Sequence, residues 1–222
     1  FTGTGDVLVT GDVAAAFPFP LPGPHDPDPN GQQDAYLLRL TADGALVWGT
    51  YYGGPADDVG RALAVDASAV YLSGTTASPT GIATPGAADT SLDGAADGFT
   101  ARFGLTGVRD WGTYLGGDSS DTVTGVVATS TGVVAIGATD SADVATPDAH
   151  QPDLAGGRDA LVVALDASGA LAWSTYYGGT GDEDGTAIAI HPAGSLLLTG
   201  TTTSPDGIAT PFALQPDLQG GL

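Results

Sequence analysis

Residues 48–54 read WGTYYGG, residues 111–117 read WGTYLGG and residues 173–179 read WSTYYGG. The tryptophans stand 63 and then 62 positions apart. Two other markers keep the same step. DAYLLRL at 34–40, DGFTARF at 97–103 and DALVVAL at 159–165 open on Asp34, Asp97 and Asp159, and Gly11, Gly74, Gly137 and Gly200 recur inside VTGDV, SGTTAS, IGATDS and TGTTTS. A fixed period of this length is the signature of a repeat architecture.

One period contains four short β-prone runs bounded by turn residues. In the second unit these are GRALAVD (60–66), AVYLSGTT (69–76), DGFTARF (97–103) and VRDWGTYLGG (108–117). Asp, Ser and Gly clusters separate the first run from the second (DASA, TSTG at 129–132, HPAG at 191–194) and the third from the fourth (ADGA at 42–45, LTG at 105–107, DASG at 166–169). Such residues supply the positive φ and the side-chain acceptors that tight hairpins need. No segment sustains a 3.6-residue apolar period; AAAF at 14–17 runs into three prolines within five residues.

Four-stranded units at a fixed period predict an all-β fold, a β-propeller of antiparallel four-stranded blades of about 63 residues. Side-chain size orders the strands. Runs rich in Ala, Gly and Val suit the narrow inner edge of a wedge, and the Trp/Tyr run suits its broad outer edge. The expected units are 1–59, 60–122, 123–185 and 186–222, the first with three strands and the last with two. About three and a half blades fall short of the four that a closed ring requires. The chain is therefore expected to be a fragment of a larger ring, or else a half-propeller that pairs by two-fold symmetry.

Composition bounds the function. The 222 residues carry 5 Arg and no Lys against 26 acidic side chains, a net charge of −21. Nucleic acid is excluded as a partner because its phosphates need cations. There is no cysteine for a disulfide framework. No apolar run approaches the roughly 18 residues of a membrane-spanning helix, and 42% hydrophobic residues argue against disorder. Of the 26 acids only Glu183 is Glu, and Asp is a residue of turns and ion-binding loops.

Together D-[AG]-[FYL]-x-x-x-[LF], W-[GS]-T-Y-[YL]-G-G, the acidic D-x-x-[AG]-x-A-[VI] run, [LV]-x-G-x-T-x-S and the T-P before a Q-P-D-L-x-G-G loop resemble the SBBP repeats, the seven-bladed β-propeller repeats of bacterial and archaeal surface and secreted proteins. The resemblance covers essentially the whole chain. It implies an extracellular, cell-surface or secreted module, usually non-enzymatic, that acts in display, adhesion or binding.

Two acidic patterns are candidates for chemistry. Asp26-Pro-Asp28-Pro-Asn30-Gly31-Gln-Gln-Asp34 and Asp89-Thr-Ser91-Leu-Asp93-Gly94-Ala-Ala-Asp97 place oxygens at positions 1, 3, 5 and 9, with glycine at 6. This is the core of a calcium loop, so Ca2+ is the candidate ion and Asp26, Asp28, Asn30, Asp34, Asp89, Ser91, Asp93 and Asp97 are its candidate ligands. Neither loop has a Glu at position 12, where Leu37 and Thr100 stand, and the third copy has Gln151, Ala155 and Arg158. The competing reading is a Pro/Gly turn whose last Asp caps the next strand.

The loops after each Gly-Gly carry Asp57 and Asp58, Asp118 and Asp121, and Asp182, Glu183 and Asp184. They read either as a negative ring on the loop-rich face, open to a protein or glycan ligand, or as solvated turns. For an enzyme, His25, His150 and His191 are scattered, no G-x-S-x-G occurs, and no Asp reads as buried against apolar walls. A hydrolase, a quinoprotein-like enzyme (Asp166-x-x-Gly169-x-x-x-Trp173) and a subunit of a surface layer or filament are the alternatives to a rigid display scaffold. The tryptophans are expected to pack between blades.

Overall fold

A computed structural model describes residues 5–17, 21–23 and 25–218. Pro18, Pro20 and the closing 219–222 stretch, which figured in the sequence reading, lie outside the described residues. Thirteen strands and no helix occur among the described residues. They are β1 (Val7–Val13), β2 (Asp34–Leu40), β3 (Leu46–Tyr52), β4 (Asp58–Val65), β5 (Ala69–Thr76), β6 (Asp97–Gly104), β7 (Arg109–Leu115), β8 (Asp121–Ala128), β9 (Gly132–Thr139), β10 (Asp159–Asp166), β11 (Leu171–Tyr177), β12 (Glu183–Ile190) and β13 (Leu196–Thr202).

They form four antiparallel sheets: β1-β2-β3, β4-β5-β6-β7, β8-β9-β10-β11 and β12-β13. Each full sheet is ordered as the chain runs, with the small-residue strand at one edge and the Trp/Tyr strand at the other. The first strands begin slightly earlier than the apolar pattern suggests, at Asp58, Asp121 and Glu183, because these acids already pair with Thr76, Thr139 and Thr202.

The third-to-fourth hairpins turn as their residues require. Gly107 and Gly169 take φ of +85°, and a bulge follows between Arg102 and Phe103 and between Ala164 and Leu165. This is the three-residue loop with a left-handed glycine. In the third sheet Asp166 closes the turn by accepting from the Ser168 amide and hydroxyl and the Ala170 amide.

Consecutive sheets pack face to face, with β8 against β4 and β5, and β12 against β8 and β9. Hence β5 and β9 are covered on both sides and are buried almost end to end. One core joins Leu37, Trp48 and Tyr52 of the first sheet to Leu72, Phe99 and Phe103 of the second. The next joins Tyr71 and Trp111 to Val126, Leu161 and Val163. A smaller one joins Ile136 and Val162 to Ile188 and Leu196. Closest approach falls on the small-residue strands: the Thr124 hydroxyl donates to the Gly185 carbonyl across the gap at 2.6 Å.

The tryptophans latch one sheet to the next. The Trp48 indole N–H donates to Leu105 O in the outer turn of the second sheet (3.0 Å), and that of Trp111 donates to Ala167 O in the turn of the third (3.1 Å). Trp173 has no such acceptor among the described residues, and its exposure is 38% against 7% for Trp111. Trp111→Ala is therefore expected to cost about 3–5 kcal/mol and Trp173→Ala no more than about 1–2. Urea unfolding of the two variants checks this: equal losses would mean that burial at the sheet junction does not set the tryptophans' contribution.

Candidate functional site

The long loop before each third strand and the Gly-Gly loop before the next sheet meet end to end. Parallel bridges tie Gln33 to Asp57, Ala96 to Ser120 and Arg158 to Asp182. The amides of Asp58, Asp121 and Glu183 donate to the carbonyls of Gln33, Ala96 and Arg158. Further back, the hydroxyls of Thr50, Thr113 and Thr175 accept from the amides of Asp26, Asp89 and Gln151, which fixes the loop entrances. Three junctions of one design result.

Each junction buries two acidic side chains. Asp34 and Asp58, Asp97 and Asp121, and Asp159 and Glu183 are all at most 3% exposed. The point where a Gly53 Cβ would stand lies 2.5 Å from Asp34 Oδ1 and 2.5 Å from Asp58 Oδ2. Gly178 likewise lies between Asp159 and Glu183. The second glycine of each Gly-Gly then donates its amide to the second acid: Gly54 to Asp58 (2.8 Å), Gly117 to Asp121 (2.8 Å) and Gly179 to Glu183 (2.7 Å). The Gly-Gly pair thus makes room for a carboxylate pair at the first and third junctions, and at all three its second amide hydrogen-bonds one acid.

This corrects one expectation and refines another. Buried acids do exist, though the neighbours that hold them are hydroxyls, amides and a second carboxylate rather than apolar walls. Asp58, Asp121 and Glu183 are part of neither an exposed ring nor a solvated turn, because strand pairing and the hydroxyls of Ser78, Ser141 and Ser204 draw them inward. Asp57, Asp118, Asp182 and Asp184 are exposed. The serine of the T-x-S motif was the missed signal: an Asp and a Ser at fixed phase are hydrogen-bonding partners across the edge strand.

The nine-residue loops are closed by their own hydrogen bonds. Asp26 accepts from the Asp28 amide at 3.2 Å and from the Asn30 side chain, and Asp34 Oδ2 accepts from the amides of Asn30 (2.6 Å) and Gly31 (3.2 Å). Asp89 accepts from the Ser91 amide, and Asp97 Oδ2 from the Asp93 amide at 3.3 Å. Asp28, Asn30, Ser91 and Asp93 are exposed, while Asp34 and Asp97 are buried at the junctions. No group of three or more His, Cys, Asp or Glu side chains gathers as a metal cluster among the described residues.

Burial dominates the electrostatics. It raises the carboxyl pKa of Asp34 and Asp58, and pushes Asp97 up to about 7, with the charges of Asp121, Asp89 and Asp93 adding to the effect and the Asp93 amide opposing it. For Glu183 burial works in the same sense. There, however, the hydroxyls of Thr202 and Ser204 and the Gly179 amide outweigh it and hold the carboxyl below its ordinary value.

The histidines are dispersed. His25 packs against Tyr52 and Phe103, and burial, aided by Arg109, lowers its pKa to about 4. His150 stacks on Tyr177, and His191 Nδ1 accepts from the Ala193 amide in a hairpin. A base with a lowered folded pKa contributes stability above its unfolded value of about 6.5, lost as pH falls from there toward 4. His25→Phe is therefore expected to flatten the fall in melting temperature over that window. An unchanged pH profile would contradict the burial of a neutral imidazole.

Comparison with known proteins finds no matching family model and no matching curated protein. The junctions must be interpreted from their own chemistry.

Proposed function

We propose that the chain is a set of β-propeller blades serving as a rigid, non-enzymatic display or binding scaffold of a cell-surface or secreted protein. The observation that carries this reading is the series of braced loop junctions. Each sheet brings its long loop and its Gly-Gly loop together at one end, and the bridges, threonine hydroxyls and buried acids fix both. A loop surface held this way is preorganised for a protein or glycan ligand, because little conformational entropy remains to be lost on binding. The motif resemblance to the SBBP repeats supports the same assignment and an extracellular setting.

The partners nearest at hand are further sheets of the same kind, from the same polypeptide or a symmetry-related copy. Leu197 (54% exposed) and Leu198 (41%) of β13 stand at the positions that in β9 are the buried Val134 and Ala135. A cleft of about 260 Å3 lined by Val162, Tyr177, Leu198 and Ile208 lies beside them. More strands of this sheet would cover that apolar surface and supply Trp173 with its acceptor.

Electron microscopy of the purified protein tests the architecture. Discs with a central channel are expected, and open-ended stacks would overturn the propeller in favour of a filament subunit. Antibody labelling of intact source cells tests the location; labelling only after lysis would refute surface display.

A further inference from the structure

The three junctions share one design but not one charge balance. At the third, every carboxylate oxygen has a donor. Asp159 accepts from the Gln151 side-chain amide (2.7 Å), the Ala155 amide (3.0 Å) and the Gly156 amide (3.1 Å), while Gln151 Oε1 accepts from the Gly178 amide. Glu183 accepts from Thr202, Ser204 and Gly179. Alongside, Arg158 pairs with Asp140 (2.8 Å) and Asp184 (2.7 Å).

The first two junctions keep the backbone-amide and serine donors but lack the side-chain amide and the arginine. Asp26 and Asp89 stand where the third has Gln151, and Gln33 and Ala96 stand where it has Arg158. An acid has no N–H to donate. Accordingly Asp34 Oδ1 is buried without a hydrogen-bond partner at the first junction, and Asp97 Oδ1 and Asp121 Oδ1 are both buried without partners at the second. The salt bridges among the described residues engage Asp6, Asp110, Asp140 and Asp184, so no arginine bridges Asp34, Asp58, Asp97 or Asp121.

Oxygen crowds the orphaned atom of the first junction. The Cβ position of Gly31 lies 3.1 Å from Asp34 Oδ1 and 2.7 Å from Gly54 O, with Ala56 O also against it. A buried carboxylate oxygen left without a donor costs more than a neutral polar atom in the same place. A buried carboxylate pair beside backbone carbonyl oxygens matches a hard cation that takes carboxylate and backbone oxygens alike.

We propose that the first and second junctions are Ca2+ sites. The first is built on Asp34 with Asp26 and Asp58 contributing charge, the second on Asp97 and Asp121 with Asp89; at the third, Gln151 and Arg158 take the ion's place. This moves the ion from the exposed Asp28, Asn30, Ser91 and Asp93 to the buried acids. It holds whether or not the sheets close into a propeller.

The test is calorimetric titration of chelator-stripped protein with CaCl2 in 0.1 M NaCl, paired with thermal melts. Two saturable equivalents are expected, with the melting temperature rising by about 5–10 °C once Ca2+ exceeds Kd a hundredfold. Asp121→Asn should remove one equivalent. Asp89→Gln should also remove one while raising the melting temperature of the metal-free protein, since glutamine there can donate to Asp97 as Gln151 does to Asp159. Gln151→Asp combined with Arg158→Ala should add a third equivalent. The proposal is overturned if no saturable binding occurs, or if Asp28→Ala and Asp93→Ala abolish binding while Asp121→Asn leaves both equivalents intact. It also fails if Asp89→Gln neither removes an equivalent nor stabilises the stripped protein.

Discussion

Alanine at Gly137 should destabilise the protein by about 3 kcal/mol or more, the expected cost of a methyl group forced against backbone rather than against a side chain that can move. A Cβ there would stand inside the contact distance of Thr122 O and only 2.9 Å from Val123 Cα. The cause is the neighbouring edge strand, whose register shifts between Val123 and Gly125 and so pushes a carbonyl toward β9. Gly74 meets Val59 O in the same way, beside the shift between Gly60 and Ala62. Gly86 is the control. Its φ of +83° is left-handed, but a Cβ there has nothing within 4 Å, so Gly86→Ala should cost only about 1 kcal/mol of backbone strain. Urea midpoints at unchanged m-value give both figures. Equal shifts would mean that the bulge, and not the glycine, yields.

The second large effect is expected at Tyr52. Its ring is fully buried, 5.2 Å from Phe99, 5.7 Å from Phe103 and 5.9 Å from His25, and its hydroxyl donates to Ile82 O at 2.7 Å. Tyr52→Ala should cost about 4–5 kcal/mol, through lost apolar burial and an unfilled cavity. Tyr52→Phe keeps the ring and strips the donor from a buried carbonyl, for about 1–2 kcal/mol. The equivalent position in the second sheet is Leu115, and in the third it is Tyr177, which lies nearer the exposed fourth sheet and is only partly buried. Tyr177→Ala should therefore cost clearly less than Tyr52→Ala. If denaturant titration ranks them the other way, the first intersheet core is not the stability centre that its buried aromatics suggest.

The same contrast between equivalent positions shows how far the sequence could be read. Trp48, Trp111 and Trp173 sit in equivalent strand positions and set the period, and the hairpin glycines at 107 and 169 mark turns that the structure contains. These features are local: strand alternation, turn chemistry and side-chain size act within a few residues of one another. The tryptophans diverge only because their surroundings do. The next sheet's turn carbonyl serves Trp48 and Trp111, and Trp173 has none.

The acids were harder to read. In the sequence, Asp58 follows Asp57 in a polar loop, and both look solvated; in the fold Asp58 is buried and Asp57 is exposed. Adjacent side chains in an extended segment point to opposite sides, and which side meets the neighbouring loop is set by sheet packing. The nine-residue loops were legible as oxygen-rich stretches, but spacing does not tell whether an oxygen faces solvent, its own loop's amides or another carboxylate.

By itself, the sequence determined the all-β class, the four-strand unit and its period, because these follow from hydrophobic alternation and from residues with strong local preferences. Only the tertiary structure decided that Asp34 lies against Asp58, that Asp97 and Asp121 each keep an unpartnered oxygen, and that Gln151 closes the third junction where Asp26 and Asp89 leave the other two open. The physical reason is that each acid pair joins residues 24 apart from two different sheets, and the loop that supplies Gln151 is folded against that pair. The cost of these contacts depends on burial, which no single stretch of chain specifies.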